Sequence, residues 1–207
     1  MKICNNFGEV IYKDDSPTIK KAVESAVDQK ISLRHANLRS ADLRKADLHN
    51  ADLVGAGLRY ADLSYADLRN VDLTDANLCN AYLRNANLHD ANLHNAILCN
   101  TNLCNANLCN AILCKADLCN ANLTHTDLTG ADLRHADLPE KTFVYIDFWT
   151  VLIHAERIKI GCQEHSVSDW FSFSDDQINE MHEDALTWWK RNKRIIFEIC
   201  KSFGWVK

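Results

Sequence analysis

The chain has 207 residues, of which 47% are hydrophobic, and this excludes a disordered protein because it supplies enough apolar material for a folded core. No run approaches the ~20 apolar residues of a membrane helix, and the N-terminal residues lack an apolar signal segment, so a cytoplasmic location is predicted. The net charge of −5 is mild and does not require a nucleic-acid partner. Nine cysteines, an odd number without an export signal, favour free thiols over a disulfide framework.

Residues 1–30 are predicted to form an N-terminal cap made of a strand and an amphipathic helix. Val10, Ile11 and Tyr12 favour a strand that extends the first ladder of the region that follows. Ser16 followed by Pro17 predicts a helix N-cap at Ser16 with proline at the first helical position. Apolar residues then recur at helical spacing, at Ile19, Ala22, Val23, Ala26 and Val27. We expect this helix to cover the open end of the first repeat.

A five-residue repeat fills residues 31–138. Leucine stands at every fifth position from Leu33 to Leu138, which makes 22 consecutive units. Alanine precedes each leucine by two positions, with replacements only at Ile31, Val71, Thr101 and Thr126. A period of five fits neither a helix nor a strand, so the chain has to turn once in each unit. Four units then close a square coil with leucine and alanine inside, and the 22 units make about 5.5 coils.

The polar positions of the repeat suit the corners of such a coil. Asp or Asn precedes most of the leucines, and Asn often follows two residues later. These residues tolerate left-handed backbone and form hydrogen bonds with nearby turn backbone. Units such as Ala-Asn-Leu-Cys-Asn and Ala-Asn-Leu-His-Asp resemble the A(D/N)LXX motif of the pentapeptide-repeat family. The resemblance implies a mainly β fold, a right-handed quadrilateral parallel β-helix.

The same resemblance suggests functions. Family members include inhibitors of DNA gyrase that imitate duplex DNA, together with many proteins whose role is unknown. A DNA mimic should present rows of carboxylates with few compensating cations. Residues 31–138 instead carry 12 acidic and nine basic side chains, and this mixture disfavours a DNA mimic.

Residues 20 apart are expected to stack in outward columns at the ~4.8 Å spacing of parallel strands. A partner surface is predicted on two neighbouring columns, which carry Arg39, Arg59, Arg44 and Arg84. One of these columns continues as Cys79, Cys99 and Cys119. The favoured interpretation is that cysteine is a small residue tolerated on a strand. A disulfide between coils, or a zinc or copper ion held by the thiolates, are the alternatives.

Pro139 ends the repeats, and residues 139–207 are predicted to form an α+β unit with a hairpin and one long helix. The strands are expected at 143–153 and 158–162, around a turn at Ala155-Glu156-Arg157. Ser174 to Gln177 is a capping-box sequence. Apolar residues at helical spacing then predict a helix that runs to about Phe203.

The C-terminal unit holds the candidate ligand-binding residues. Cys162 and His165 stand three positions apart, with His154 on the partnering strand, but zinc needs about four converging ligands. A basic run containing Arg191 and Arg194 follows Trp188. The favoured interpretation of this run is a solvated helix face, and the alternative is a site that binds a phosphate-bearing partner through charge and stacking. We predict no resident metal, no cofactor and no catalytic residue.

These patterns predict a non-enzymatic solenoid scaffold that binds a bacterial or phage protein target, with inhibition of that target as one outcome. A topoisomerase is a candidate target by family resemblance. One alternative is a protein that binds a nucleotide or a metal at a coil junction or beneath the C-terminal aromatic residues. Another is a structural repeat protein that forms a homodimer through the C-terminal unit. Direct binding to nucleic acid or membrane is not expected.

Overall fold

A square parallel β-helix forms the centre of the molecule, between an N-terminal cap and a C-terminal α+β unit. The computed structural model describes residues 1–139, 142–147, 149–154 and 156–206. Single parallel β-bridges join residues 20 apart along the repeats, for example Asp42 to Asp62. Four five-residue units therefore make one coil, and the predicted β-helix is confirmed.

The N-terminal cap consists of β1 (Lys2–Cys4), β2 (Val10–Lys13) and α1 (Ile19–Asp28). The two strands pair antiparallel, and the residue after β1, Asn5, bridges Ala36 of the first coil. The prediction that residues 10–12 extend the ladder is therefore wrong, because the end of β1 contacts the coil and β2 lies outside it.

Helix α1 covers the first coil with a small apolar face. Ala22, Val23 and Ala26 are each 0% exposed. The predicted N-cap at Ser16 is wrong: the N-cap is Thr18, whose side chain accepts a hydrogen bond from the Lys21 amide. Covering the end of the solenoid keeps its apolar cross-section away from water.

Each corner of the coil is a turn with one left-handed residue. Every fifth residue from Lys30 to His135 has a positive φ of 55–70°. Each turn is closed by a hydrogen bond from a backbone amide to the carbonyl oxygen three residues earlier, for example from Ala36 N to Leu33 O at 3.0 Å. The positive φ lies at the third residue of the turn, as in type II turns. The Asp or Asn before the leucine braces the corner: Asn107 Oδ1 accepts from the Cys109 amide at 2.9 Å. This bond explains the Asp/Asn preference.

We expect the left-handed corners to discriminate sharply between substitutions. Asn105 has a φ of 58°. Valine there should lower the free energy of unfolding by about 1–2 kcal/mol, because an L side chain with a branched Cβ clashes in this conformation. Glycine should be close to neutral because it has no Cβ. Urea denaturation measures both, and equal losses for the two variants would contradict the assignment.

The core is a stack of leucine layers interleaved with alanine. Leu43, Leu63 and Leu83 are each 0% exposed. Two alanine positions hold threonine, and both hydroxyls are satisfied inside the coil: Thr101 Oγ1 donates to Leu78 O at 3.0 Å and Thr126 Oγ1 to Leu103 O at 2.8 Å. A buried hydroxyl without such a partner would be destabilising.

The C-terminal sheet grows directly from the last coil. β3 (Thr126–Asp127) belongs to the coil and pairs parallel with β4 (Thr142–Ile146). β5 (Trp149–His154), β6 (Arg157–Ile160) and β7 (Gln163–Ser166) follow as antiparallel neighbours. The sheet order is β3-β4-β5-β6-β7, so the unit continues the ladder of the β-helix.

Three helices complete the unit: α2 (Val167–Ser172), α3 (Asp175–Met181) and α4 (Ala185–Ser202). The capping box predicted at Ser174 is confirmed. Helix α4 packs on the sheet through Trp188, whose indole N–H donates to Ile146 O at 3.0 Å. Its neighbour Asn192, 3% exposed, donates to Asp147 Oδ2 at 2.6 Å.

The predicted hairpin and single long helix are wrong in detail. The 143–153 strand is two strands, because Asp147 turns the chain with a φ of 54° and no glycine or proline marks the position. The long helix is two helices, separated at residues 182–184. Of the predicted turn, Glu156 has a φ of 59°, whereas Ala155 lies outside the described residues.

Candidate functional site: a tyrosine and arginine patch

Two adjacent faces of the rod carry its exposed tyrosines. We call them the Leu38 face (units of Leu38, Leu58, Leu78, Leu98 and Leu118) and the Leu43 face (units of Leu43, Leu63, Leu83, Leu103 and Leu123). Tyr60 stands at the corner between the two faces, and Tyr65 at the far corner of the Leu43 face. Tyr82 lies on the Leu43 face between Asp62 and Asn102.

All three tyrosines project into solvent. Tyr60 is 43% exposed, Tyr65 56% and Tyr82 53%. At position 82 tyrosine replaces the Asp or Asn that braces other corners, so its ring is not needed for the turn. Large aromatic side chains held on a rigid strand lose little conformational entropy when a partner covers them, which favours a binding role.

Arginines lie beside the Tyr60 ring and near Tyr82 in sequence. The Cζ atoms of Arg39 and Arg59 lie 5.4 and 5.6 Å from the centre of the Tyr60 ring, within cation–π distance. Arg84 follows Tyr82 by two positions on the same strand. Within the described ranges these three guanidinium groups form no ion pair. We call this set the Tyr–Arg patch: Arg39, Arg59, Tyr60, Tyr65, Tyr82 and Arg84.

The fourth predicted arginine, Arg44, differs because it is already paired. It contacts Asp42 Oδ2 at 2.6 Å and Asp62 Oδ2 at 3.7 Å on the Leu43 face. The pKa of Asp42 falls to about 2, chiefly because the Arg44 side chain donates hydrogen bonds to it. Arg44 borders the patch but its charge is largely neutralised.

A shallow groove of about 310 Å³ adjoins the patch and is lined in part by Arg39 and Arg59. Gly57 forms the floor of the groove. Most units have Asp or Asn at this position, whereas glycine has no side chain to fill the groove. A Cβ at Gly57 would lie 2.8 Å from Oδ1 of Asn6, so a larger residue here would displace the Asn6 side chain of the N-terminal cap. Two stacked cations, Arg39 and Arg59, therefore border this small depression.

The sequence pattern predicted the arginines of this region as a partner surface but did not predict a role for its tyrosines. The available signal was that all three tyrosines of the repeats lie between positions 60 and 82, at outward positions. What sequence could not give is the proximity of Tyr60 to Arg39, which are 21 residues apart and meet only because adjacent coils stack.

The predicted ligand-binding residues of the C-terminal unit do not all line one site. Cys162 and Trp188 line a small apolar cavity of about 50 Å³, together with Trp149 and Trp170. His165 packs edge-on against Trp170 and Phe173, with ring centres 5.4 and 5.0 Å apart. The cavity is smaller than the ~150 Å³ that accepts benzene, so it is packing space.

These residues do not converge on a metal. His154 pairs in register with Arg157 on the neighbouring strand, away from the wall lined by Cys162. Among the residues that the structure describes, no group of three or more His, Cys, Asp or Glu side chains is arranged to hold an ion. Nor, in the same ranges, is any helix long and apolar enough to cross a membrane.

Arg191 and Arg194 face a cleft of about 620 Å³ between α4 and the last coil. Arg134 and Asp132 lie across from them and pair with each other, at 2.6 Å from Nη2 to Oδ2. Arg191 Nη1 lies 3.8 Å from Asp147 Oδ2. We call this the junction cleft; its cations are partly balanced by carboxylates.

Comparison with known proteins locates the similarity in the repeats. The sequence model of the pentapeptide repeats (8 copies) matches residues 31–70, 66–103 and 101–138. No curated protein is significantly similar in sequence.

Solved structures also match. A pentapeptide repeat protein, Rfr23, from the cyanobacterium Cyanothece is 41% identical, with a TM-score of 0.40, over 47% of this chain and 63% of its own. HetL from Nostoc, involved in heterocyst differentiation regulation, is 35% identical, with a TM-score of 0.31, over 52% and 59%. A pentapeptide repeat protein of the Arabidopsis thaliana thylakoid lumen is 27% identical, with a TM-score of 0.36, over 39% and 59%. The chain thus spans about three-fifths of these proteins.

Proposed function

Since this chain belongs to the pentapeptide-repeat family, whose fold is a right-handed β-helix, we propose that it is a non-enzymatic scaffold that binds a protein partner through the Tyr–Arg patch. The observation that carries the proposal is the combination of three exposed tyrosines with three arginines that have no ion-pair partner among the described residues. Tyrosine and arginine are enriched in the residues that dominate binding energy at protein interfaces.

The charges of the patch define the partner. Arg39, Arg59 and Arg84 present positive charge without compensation, so an acidic protein surface complements them. A carboxylate of the partner would enter the groove over Gly57, beside the stacked Arg39 and Arg59 guanidinium groups, and form charge-assisted hydrogen bonds there. The tyrosine rings would pack against apolar parts of the same partner.

The family's DNA-mimic mode is not favoured for this chain. Its outward columns do not keep a continuous run of carboxylates: the column of Asp42 and Asp62 continues as Tyr82, Asn102 and Asn122. Arg44 neutralises part of the acidic end. A gyrase-type target is therefore disfavoured on charge.

We expect substitutions in the patch to weaken partner binding without unfolding the rod. A photo-reactive amino acid at position 65 would capture the partner from a lysate of the source cells, and titration would follow with the purified partner. Tyr82→Ala and Arg59→Ala should each raise the Kd about tenfold or more, as truncated interface anchors do. Higher salt should weaken binding further, because the contacts are charged.

Two control variants lie on another face of the rod. Ile112→Ala removes a side chain that is 43% exposed, as a match for Tyr82→Ala. Arg34→Ala removes a surface arginine whose Nη1 lies 3.5 Å from Asp52, as a match for Arg59→Ala. Equal Kd changes for control and patch variants, or binding insensitive to salt, would contradict the proposal.

The junction cleft supports a second candidate function, the binding of a small anionic ligand such as a nucleotide. Its volume falls within the range of ligand sites, and it holds Arg134, Arg191 and Arg194. Carboxylates already face two of these arginines, which is why protein binding comes first. Native mass spectrometry of freshly purified protein decides: a bound nucleotide lost on Arg194→Ala would put this candidate ahead.

Dimerisation through the C-terminal aromatic residues has less support. Trp170, Trp188 and Trp189 are 3%, 4% and 4% exposed and belong to the core of the unit. Their apolar surface is therefore not available to a second copy. The same mass spectrum reports the oligomeric state directly.

A further inference from the structure

Two cysteine side chains meet on the Leu38 face. The Cys99 thiol donates to Cys79 Sγ at a sulfur–sulfur distance of 2.6 Å, and both side chains are half-buried. The two residues are 20 apart in sequence, one coil from each other. Neither residue belongs to the Tyr–Arg patch or to the junction cleft.

The backbone ladder fixes this pairing. Asn77 bridges Ile97, and the Asn80 amide donates to Cys99 O at 3.0 Å, so hydrogen bonds bracket the two cysteines on either side. The ~4.8 Å between stacked parallel strands lies within the Cα separations, ~4.4–6.8 Å, that a disulfide spans. The thiols are therefore held together by the fold and not by a flexible loop.

The other cysteines of the same coil lack this arrangement. Cys104, Cys109 and Cys114 occupy equivalent outward positions on the other faces, but their stacked neighbours on the adjacent coils are not cysteines. The neighbours are Arg84 and Thr124 for Cys104, His89 and Thr129 for Cys109, and His94 and Arg134 for Cys114. Burial next to Asp127 raises the pKa of Cys109 to about 12. Burial also raises the pKa of Cys200 to about 12. These thiols have no stacked thiol to react with.

We propose that Cys79 and Cys99 form a redox-active dithiol, which a small disulfide such as oxidised glutathione converts reversibly into a disulfide between adjacent coils. The Cys79 thiolate attacks one glutathione sulfur, and a mixed disulfide forms as the first glutathione thiolate leaves. The Cys99 sulfur, after losing its proton to solvent, attacks the Cys79 sulfur and displaces the second glutathione. Two protein thiols are oxidised and one glutathione disulfide is reduced to two thiols.

The geometry assigns the two roles. Cys79 Sγ accepts one hydrogen bond from the Cys99 thiol and one from Asn80 Nδ2 at 3.0 Å, and these two donors orient this sulfur. Cys99 is the donor, and its pKa is raised to about 11, first by desolvation and then by its hydrogen bond to Cys79. Cys79 therefore attacks first and Cys99 resolves the mixed disulfide.

The groups that face Cys99 predict a pH dependence for the second step. In the mixed disulfide Cys79 is no longer a charged neighbour, but burial, Asp117 and Cys119 still oppose ionisation of the Cys99 thiol. Because these groups raise the pKa of Cys99 above the ordinary thiol value, its thiolate fraction increases as the pH rises above neutral. Resolution of the mixed disulfide should therefore accelerate with pH across this range.

The experiment treats the full-length chain with oxidised glutathione, traps the remaining thiols with N-ethylmaleimide and maps disulfides by mass spectrometry. The wild type should lose two hydrogens and show a Cys79–Cys99 link, which dithiothreitol reverses. Cys99→Ser should instead stop at a glutathione adduct on Cys79. Cys104→Ser and Cys114→Ser, the matched controls, should form the link as the wild type does.

Serine suits this outward position, since Ser64 and Thr74 already occupy it in other units, and circular dichroism checks each fold. The oxidised wild type should also melt at a higher temperature than the reduced protein, a shift absent in Cys99→Ser, because the link closes a 20-residue loop. An oxidised wild type without this link, a link between other cysteines, or a Cys99→Ser protein that still loses two hydrogens would overturn the proposal.

Discussion

Replacing Leu83 by alanine is expected to lower the free energy of unfolding by about 2–5 kcal/mol. Leu83 is 0% exposed in the middle of the rod. Its amide donates to Asn102 O at 2.8 Å, so the backbone cannot move inwards to fill the cavity without breaking ladder hydrogen bonds. Urea denaturation followed by circular dichroism measures the loss.

The adjacent residue supplies the control for this prediction. Tyr82→Ala removes a larger side chain, but one that is 53% exposed, and should change the free energy of unfolding by no more than ~0.5 kcal/mol. Similar losses for the two variants would mean that Leu83 does not lie in the core. The same pair separates stability from partner binding, since only Tyr82 belongs to the Tyr–Arg patch.

Replacing Trp188 by alanine is expected to destabilise the C-terminal unit by about 3–5 kcal/mol. The side chain is 4% exposed, and its indole N–H donates to Ile146 O at 3.0 Å. The substitution removes both the apolar contact and the hydrogen bond between α4 and β4, and leaves that carbonyl without its partner.

Hydrogen exchange monitored by mass spectrometry shows where the loss falls. Residues 142–202 should lose protection while the repeats keep theirs, because adjacent coils hold one another through the ladder. Trp205→Ala is the control, since Trp205 is only half-buried and its ring packs at a tilt against Phe203, with ring centres 4.6 Å apart. Equal loss of protection along 31–138 would instead show that rod and unit unfold together.

The Tyr–Arg patch and the thiol pair have one structural origin. In a square solenoid every outward position is repeated 20 residues later on the next coil, so a cluster of function arises from residues far apart in sequence. Arg39 reaches Tyr60, and Cys79 reaches Cys99, in this way. Both proposals are therefore open to tests with single substitutions at outward positions, which leave the leucine core intact.

The sequence by itself determined the repeat architecture, because a strict period of five with leucine and alanine has one way to bury its apolar residues. The same spacing predicted the columns on which Arg39, Arg59 and Arg84 lie. The spacing did not predict which residue types occupy the corners. Tyr60 and Tyr65 adopt left-handed backbone with φ of 60° and 62°, because the hydrogen-bonded turn imposes this conformation whatever the residue type.

Only the tertiary structure decided the C-terminal unit and the contacts across coils. The break at Asp147 and the separation of α3 from α4 carry no glycine or proline, so local sequence could not locate them. Cys162 lines the small cavity together with Trp170, whereas the His165 ring packs edge-on against the same Trp170 and against Phe173. Long-range packing, not spacing along the chain, determines which of these side chains meet.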